Sequence, residues 1–173
     1  MLLTGIGPGD EVIVPAFTLS STANAALLRG ATVRFADIRA NDGNIDPESV
    51  AARMTSRTRA VICVHYGGVA ADVDRLSELC VEVGADLVED AAHGLAASSN
   101  GVALGRFGRI GALSFHRTKN ISTIEGGALI INDPELIEAG HGNRLLLSSS
   151  AVGVAVGLDP NDVPSSHVLT AFV

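Results

Sequence analysis

Short apolar runs recur along this chain, each followed by polar or turn-forming residues. Glu11-Val12-Ile13-Val14-Pro15 is the first, with Pro15 as its stop. Residues 32–35, 60–65, 87–88, 110–115 and 128–131 follow the same pattern. Apart from 32–35, where Arg34 intervenes, they are apolar on consecutive positions rather than alternate ones, as strands covered on both faces are. Between them lie stretches with helical spacing. Ser20 or Ser21 can cap a helix through Ala25, Ala26, Leu27 and Leu28, with Gly30 as its stop. Asp46-Pro47-Glu48 and Asp133-Pro134-Glu135 each combine a capping carboxylate with a proline in the first helical position. Asp72 or Asp74 opens a helix whose stripe is Leu76, Leu79, Cys80 and Val83, ended by Gly84. Alternating strands and helices predict an α/β fold, a three-layer α/β/α sandwich around a mostly parallel sheet. Ligands of such sheets sit beyond the carboxyl ends of the strands.

Composition narrows the classes. The chain has 173 residues, 47% hydrophobic and 18% charged, which suits a packed domain. Its net charge of −7 and the lack of a basic stripe argue against nucleic acid or an anionic membrane as a partner. Cys63 and Cys80 lie inside apolar stretches and read as buried free thiols. No apolar run reaches the length of a membrane span, and Met1-Leu2-Leu3-Thr4-Gly5 is too short and uncharged for a signal peptide. A cytoplasmic protein is the expectation. Past Arg144 the composition shifts to small and apolar residues without period, so residues 1–144 read as the domain and 145–173 as a divergent or disordered tail.

Two segments carry chemistry. In Val88-Glu89-Asp90-Ala91-Ala92-His93-Gly94 an apolar strand ends in a carboxylate followed by an imidazole; in Ser114-Phe115-His116-Arg117-Thr118-Lys119-Asn120 a strand ends in a hydroxyl followed by a lysine. A carboxylate for a ring nitrogen and an amine for an aldehyde are what a protein supplies to hold pyridoxal phosphate (PLP). Lys119 is the only lysine among 12 basic residues, which suggests a need for an amine that can lose its proton, as arginine cannot. Asp90 either caps the turn after its strand or pairs with a protonated pyridine nitrogen. His93 either bonds to backbone or contacts the ring or its hydroxyl, and Ser114 either satisfies the sheet or donates to a phosphate. His65 and Tyr66, at another strand's end, either pack or face the substrate.

These words resemble the DegT/DnrJ/EryC1/StrS sugar aminotransferases, which are fold-type I PLP enzymes. The resemblance rests on Gly7-Pro8-Gly9-Asp10-Glu11-Val12, Ser21-Thr22-Ala23-Asn24-Ala25, Val64-His65-Tyr66-Gly67-Gly68, the Asp90 and Lys119 segments, and Glu125-Gly126-Gly127-Ala128, in family order from residue 5 to about 144. The Ser-Phe-His-x-Thr-Lys-Asn form is most similar to transaminases that make dTDP-4-amino-4,6-dideoxygalactose. The resemblance implies that Lys119 bonds to the cofactor aldehyde and shuttles a proton, and that Asp90 pairs with the pyridine nitrogen. It implies that His93 touches the ring, that Ser114 holds the phosphate, and that Leu19 covers the cofactor face. His65, Tyr66 and Asn120 become substrate-facing. It further implies an amino-acid donor such as glutamate, a nucleotide-linked 4-keto-6-deoxysugar acceptor of the kind used for lipopolysaccharide or O-antigen, and a homodimer.

Three departures qualify the likeness. Relatives usually carry an aromatic residue where Leu19 stands, a difference of about 1 kcal/mol in ring contact; Phe17 is nearby but out of phase. Met1-Leu2-Leu3-Thr4 resembles the tail of a helix whose phosphate loop would precede it. The family's small domain is not evident after Arg144, although Asp162-Val163-Pro164-Ser165-Ser166 faintly echoes a later segment. The chain therefore reads as part of a large domain, and a catalytically silent remnant serving as a binding or structural module is the rival expectation. A dehydrogenase is disfavoured because no strand is followed by Gly-x-Gly-x-x-Gly.

Overall fold

The computed structural model describes residues 1–123 and 126–136, and beyond them the backbone of two strands at Val152–Val156 and His167–Phe172. In chain order the elements are β1 (Glu11–Pro15), α1 (Ser20–Leu27), β2 (Thr32–Ala36), α2 (Pro47–Ala51), β3 (Thr58–Val64), a 3-10 turn (Tyr66–Gly68) and α3 (Val73–Val83). Then come β4 (Asp86–Asp90), the short β5 (Ser98–Ser99) and β6 (Val102–Ala103), β7 (Ile110–Ser114), β8 (Gly127–Ile131), β9 (Val152–Val156) and β10 (His167–Phe172). The main sheet is ordered β2-β1-β3-β4-β7-β8-β10-β9. Strands β2, β1, β3, β4 and β7 run parallel; β8 returns antiparallel beside β7, β10 beside β8, and β9 beside β10. Strands β9 and β10 fall within the segment read as a tail; residue 144 lies outside the described residues.

Side-chain alternation along the strands sorts the apolar residues into two layers. Val12, Val14, Ala60, Ile62 and Val88 face α1 and pack with Ala23 and Ala26. Ile13, Val61, Cys63 and Leu87 face the other way, onto Val50 of α2 and Leu76, Leu79 and Cys80 of α3. This is the three-layer sandwich that the continuous apolar runs predict. Asp46 caps α2 by accepting the Glu48 N–H at 3.2 Å, with Pro47 next. Asp72, not Asp74, caps α3, and Gly84 ends it in the left-handed conformation at φ 69°. Asp133 accepts the Glu135 N–H at 2.9 Å, as its cap-and-proline pattern predicts.

Two local expectations are corrected. Neither Ser20 nor Ser21 caps α1: Leu19 holds that position without a side-chain hydrogen bond, and Ser20 is already helical. Thr22 takes the polar role in that turn, toward a partner outside the helix. Val83 is not on the buried stripe of α3 but 37% exposed, at the last residue of the helix before Gly84. Among the described residues, no helix is long and apolar enough to cross a membrane.

Cys63 and Cys80 are free and buried. Burial pushes the Cys63 thiol well above its ordinary value, helped by the Glu89 charge, and pushes Cys80 up to about 12. Both should therefore resist a thiol reagent at about pH 8 and react fully on unfolding in guanidinium. The sign for stability follows. Unfolded thiols lose their protons from the ordinary value of 9.0 upward while the folded ones keep them, so stability falls as pH rises past 9 and, for Cys80, keeps falling to about 12. A urea midpoint no lower at about pH 10 than at about pH 8 would contradict this burial.

Candidate active site

The parallel strands deliver their polar ends to one edge. Asp90 ends β4, Ser114 ends β7, and His65 and Tyr66 follow β3, all at carboxyl ends. At the opposite edge a polar cleft of about 210 Å³ is lined by Thr4, Asp10, Arg59, Asp86 and Arg109. It is occupied by the ion pairs Arg59–Asp10 (3.5 Å) and Arg109–Asp86 (3.0 Å) and contains none of the residues singled out above.

Asp90 is half-buried, and its carboxylate has two neutral donors. Thr22 Oγ1 donates to Oδ2 at 2.8 Å and the Ala92 N–H donates to Oδ1 at 3.2 Å. Thr22 Oγ1 lies 2.8 Å from Thr18 Oγ1. No arginine, lysine or histidine forms an ion pair with Asp90 among the described residues. A half-buried carboxylate with spare lone pairs and no cation suits a ligand that brings a positively charged N–H.

His65 is closed off from the open edge. Its side chain is 0% exposed, and both ring nitrogens are engaged. Nδ1 accepts the Ala71 N–H at 3.1 Å, so the proton sits on Nε2, which donates to Glu89 Oε2 at 2.7 Å. Glu89 is likewise fully buried and accepts three further N–H groups: Gly105 at 2.7 Å on Oε2, then Phe107 at 2.7 Å and Gly108 at 2.5 Å on Oε1. One carboxylate thus ties the end of β3 to the segment that enters β7. The His65 N–H donates to the Asp90 carbonyl at 3.1 Å, which joins this cage to the site's floor.

His93 stands over that floor. Its Nδ1 accepts the Gly67 N–H at 3.1 Å, a bond that Gly67 can offer because it sits at φ 62°. Tyr66 meets His93 edge-on at 5.9 Å between ring centroids and packs on Phe17 at 4.8 Å. Burial holds the His93 pKa below its ordinary value; the Lys119 charge pushes the same way and the Asp90 charge opposes. The Lys119 N–H donates to the His116 carbonyl at 2.8 Å in the turn after β7, and Asn120 beside it is exposed. Ser114 is half-buried, its Oγ 3.4 Å from the His116 N–H. Leu19 is 72% exposed, one residue from Thr18.

The edge therefore gathers Asp90, His93, Lys119, Ser114, Tyr66 and Leu19 and withdraws His65. It adds residues that sequence reasoning missed. Thr22 lies 68 positions from Asp90, so no local signal joins them. Phe17, read as out of phase, belongs to the ring cluster beside His93. Glu89 had one available signal: it neighbours Asp90 on a strand, so the two must face opposite layers.

The model of the DegT/DnrJ/EryC1/StrS aminotransferase family matches residues 1–150. The spore coat polysaccharide biosynthesis protein SpsC of Bacillus subtilis (strain 168) is 46% identical over 134 residues, 78% of this chain and 34% of its own length. The aminotransferase TlmJ from Streptoalloteichus hindustanus superposes with a TM-score of 0.76 at 42% identity, covering 80% of this chain and 38% of its own. Spr1654 from Streptococcus pneumoniae, in its PLP form, gives 0.74 at 29% identity, covering 82% and 40%. The chain spans between about a third and two fifths of the length of these relatives. With matching motifs, matching fold and a family model that covers most of its residues, the chain belongs to the DegT/DnrJ/EryC1/StrS aminotransferase family.

Proposed function

We propose that this chain is the cofactor-holding part of a PLP-dependent aminotransferase. In this reading the whole protein passes an amine from an amino-acid donor, glutamate or a similar one, to a nucleotide-linked 4-keto-6-deoxysugar. The observation that carries it is a single edge at which β4 ends in an Asp90 carboxylate without a cation partner among the described residues, while the turn after the neighbouring parallel strand β7 carries the chain's only lysine. When bound, PLP supplies an aldehyde that carries the amine and a ring that withdraws electrons. The residues do the rest. Asp90 would keep the ring nitrogen protonated. Lys119 would hold the aldehyde covalently and move a proton at the substrate carbon. His93 would lie against the ring, Ser114 would take a phosphate oxygen, and Leu19 would cover a ring face. Tyr66 and Asn120 would meet the sugar.

The finer parts of this reading rest on family likeness. They are a cytoplasmic homodimer, a domain at residues 1–144, and a sugar destined for a surface polysaccharide such as O-antigen. The name of the Bacillus subtilis relative, a spore coat polysaccharide biosynthesis protein, supports the last.

The test is direct. PLP added to the purified chain should give a visible band, and borohydride should fix it to a peptide containing Lys119. A label confined to the amino terminus would overturn the site. Asp90→Asn should keep the fold and much of the PLP binding while slowing amine release from glutamate on the order of 100-fold or more, because the amide cannot hold the ring proton. Single-turnover rates equal to those of the unaltered chain would remove Asp90 from the chemistry.

A further inference from the structure

We propose that Thr22, backed by Thr18, is the positioning residue for Asp90, fixing the carboxylate's rotation while leaving its charge for the ring nitrogen. This rests on the PLP reading above. Thr22 is 6% exposed on the first turn of α1. A threonine in such a turn ordinarily satisfies its hydroxyl on a nearby backbone group of its own helix. Here the hydroxyl crosses the layer to Asp90 Oδ2 at 2.8 Å.

A hydroxyl has one proton. That of Thr22 is spent on the carboxylate, so Thr18, 2.8 Å away, donates its own to Thr22. Two hydroxyls thus donate in series toward Asp90, each polarising the next. The second oxygen, Oδ1, is held from another direction by the Ala92 N–H at 3.2 Å. Rotation of the carboxylate breaks both bonds, so its plane is pinned from α1 on one side and from the turn after β4 on the other.

The choice of donor matters. An arginine or lysine at position 22 would hold Asp90 as firmly but would neutralise it and compete with a cationic ring. A hydroxyl fixes the geometry and leaves the negative charge without an ion-pair partner among the described residues. The arrangement positions Asp90 without taking its place in an ion pair.

The experiment compares PLP titrations of the unaltered chain, Thr22→Val, Thr22→Ser and Thr18→Val, reading the visible band, its pH midpoint and the melting temperature without PLP. Thr22→Val keeps the shape and loses the donor; it should weaken PLP binding about tenfold and move the midpoint. Thr22→Ser keeps the donor and should stay within about twofold of the unaltered chain, and Thr18→Val should weaken binding about threefold. A Thr22→Val protein with unchanged affinity and midpoint overturns the proposal. So does a Thr22→Ser protein as impaired as the valine form, since packing of the methyl group would then be the cause. Should Thr22→Val fail to fold by circular dichroism, Thr18→Val decides, and unchanged affinity there overturns the proposal. An unaltered chain that develops no band overturns the PLP reading and this inference with it. A band on Lys119 with no effect at Thr22 overturns this inference alone.

Discussion

Lys119→Ala abolishes borohydride-fixed PLP on the chain and lowers single-turnover amine release on the order of 1,000-fold or more: that is the largest effect expected of any substitution here. The reason is compositional as well as geometric. Lys119 is the only lysine among 173 residues, so no neighbouring ε-amine can substitute for it. It sits in the turn after β7, the strand that pairs in parallel with β4 and its terminal Asp90. Lys119→Arg keeps a positive charge on a similar stem, yet should fail equally, because a guanidinium does not give up its proton to become a nucleophile. Both variants should keep the melting temperature of the unaltered chain within a few degrees, since the side chain enters no ion pair among the described residues. A visible band that survives in either variant would move the covalent site to the terminal amine.

Glu89→Gln is expected to cost the most stability, about 3–5 kcal/mol, read as a melting temperature about 10 °C or more below that of the unaltered chain. The carboxylate meets four donors and no acceptor: His65 Nε2 and the N–H groups of Gly105, Phe107 and Gly108. Glutamine offers one carbonyl and an NH2 group, so two donors of the cage would face another donor. His65 cannot relieve this by moving its proton, because Nδ1 already accepts from Ala71. Each stranded buried donor costs about 1–3 kcal/mol. Glu89→Asp keeps the charge but is one methylene short of spanning both sets, and should fall between. A Glu89→Gln protein that melts within about 2 °C of the unaltered chain would show that the cage does not need an anion.

Glu89 and Asp90 show how far reading along the chain reaches. Both are acids at the end of an apolar run, and the functional weight falls on Asp90 alone, supported by the order of the surrounding words. Their difference is a matter of faces. Strand alternation sends Asp90 toward α1, where neutral hydroxyls leave it available, and Glu89 toward the opposite layer, where four N–H groups consume it. His65 was drawn to the wrong side of this division. A histidine at a strand's carboxyl end looks like a ligand contact until the loop through Ala71 folds back over it.

Elements whose cause lies within a few residues were legible beforehand. The apolar runs define β1, β3, β4, β7 and β8; Asp46-Pro47 and Gly84 mark their helices through a cap and a left-handed turn that neighbouring atoms alone dictate, while the choice of Asp72 over Asp74 as the α3 cap came from the structure. The lone lysine and the strand-end carboxylate were equally plain, because rarity and position are properties of the chain. The hydroxyl pair behind Asp90, the ring cluster of Phe17, Tyr66 and His93, and the cage around Glu89 were decided only when the chain folded. Each is a bond between side chains or backbone groups far apart in sequence. Such bonds depend on which strand lies next to which and which face each residue presents, and the parallel order β1-β3-β4-β7 settles both.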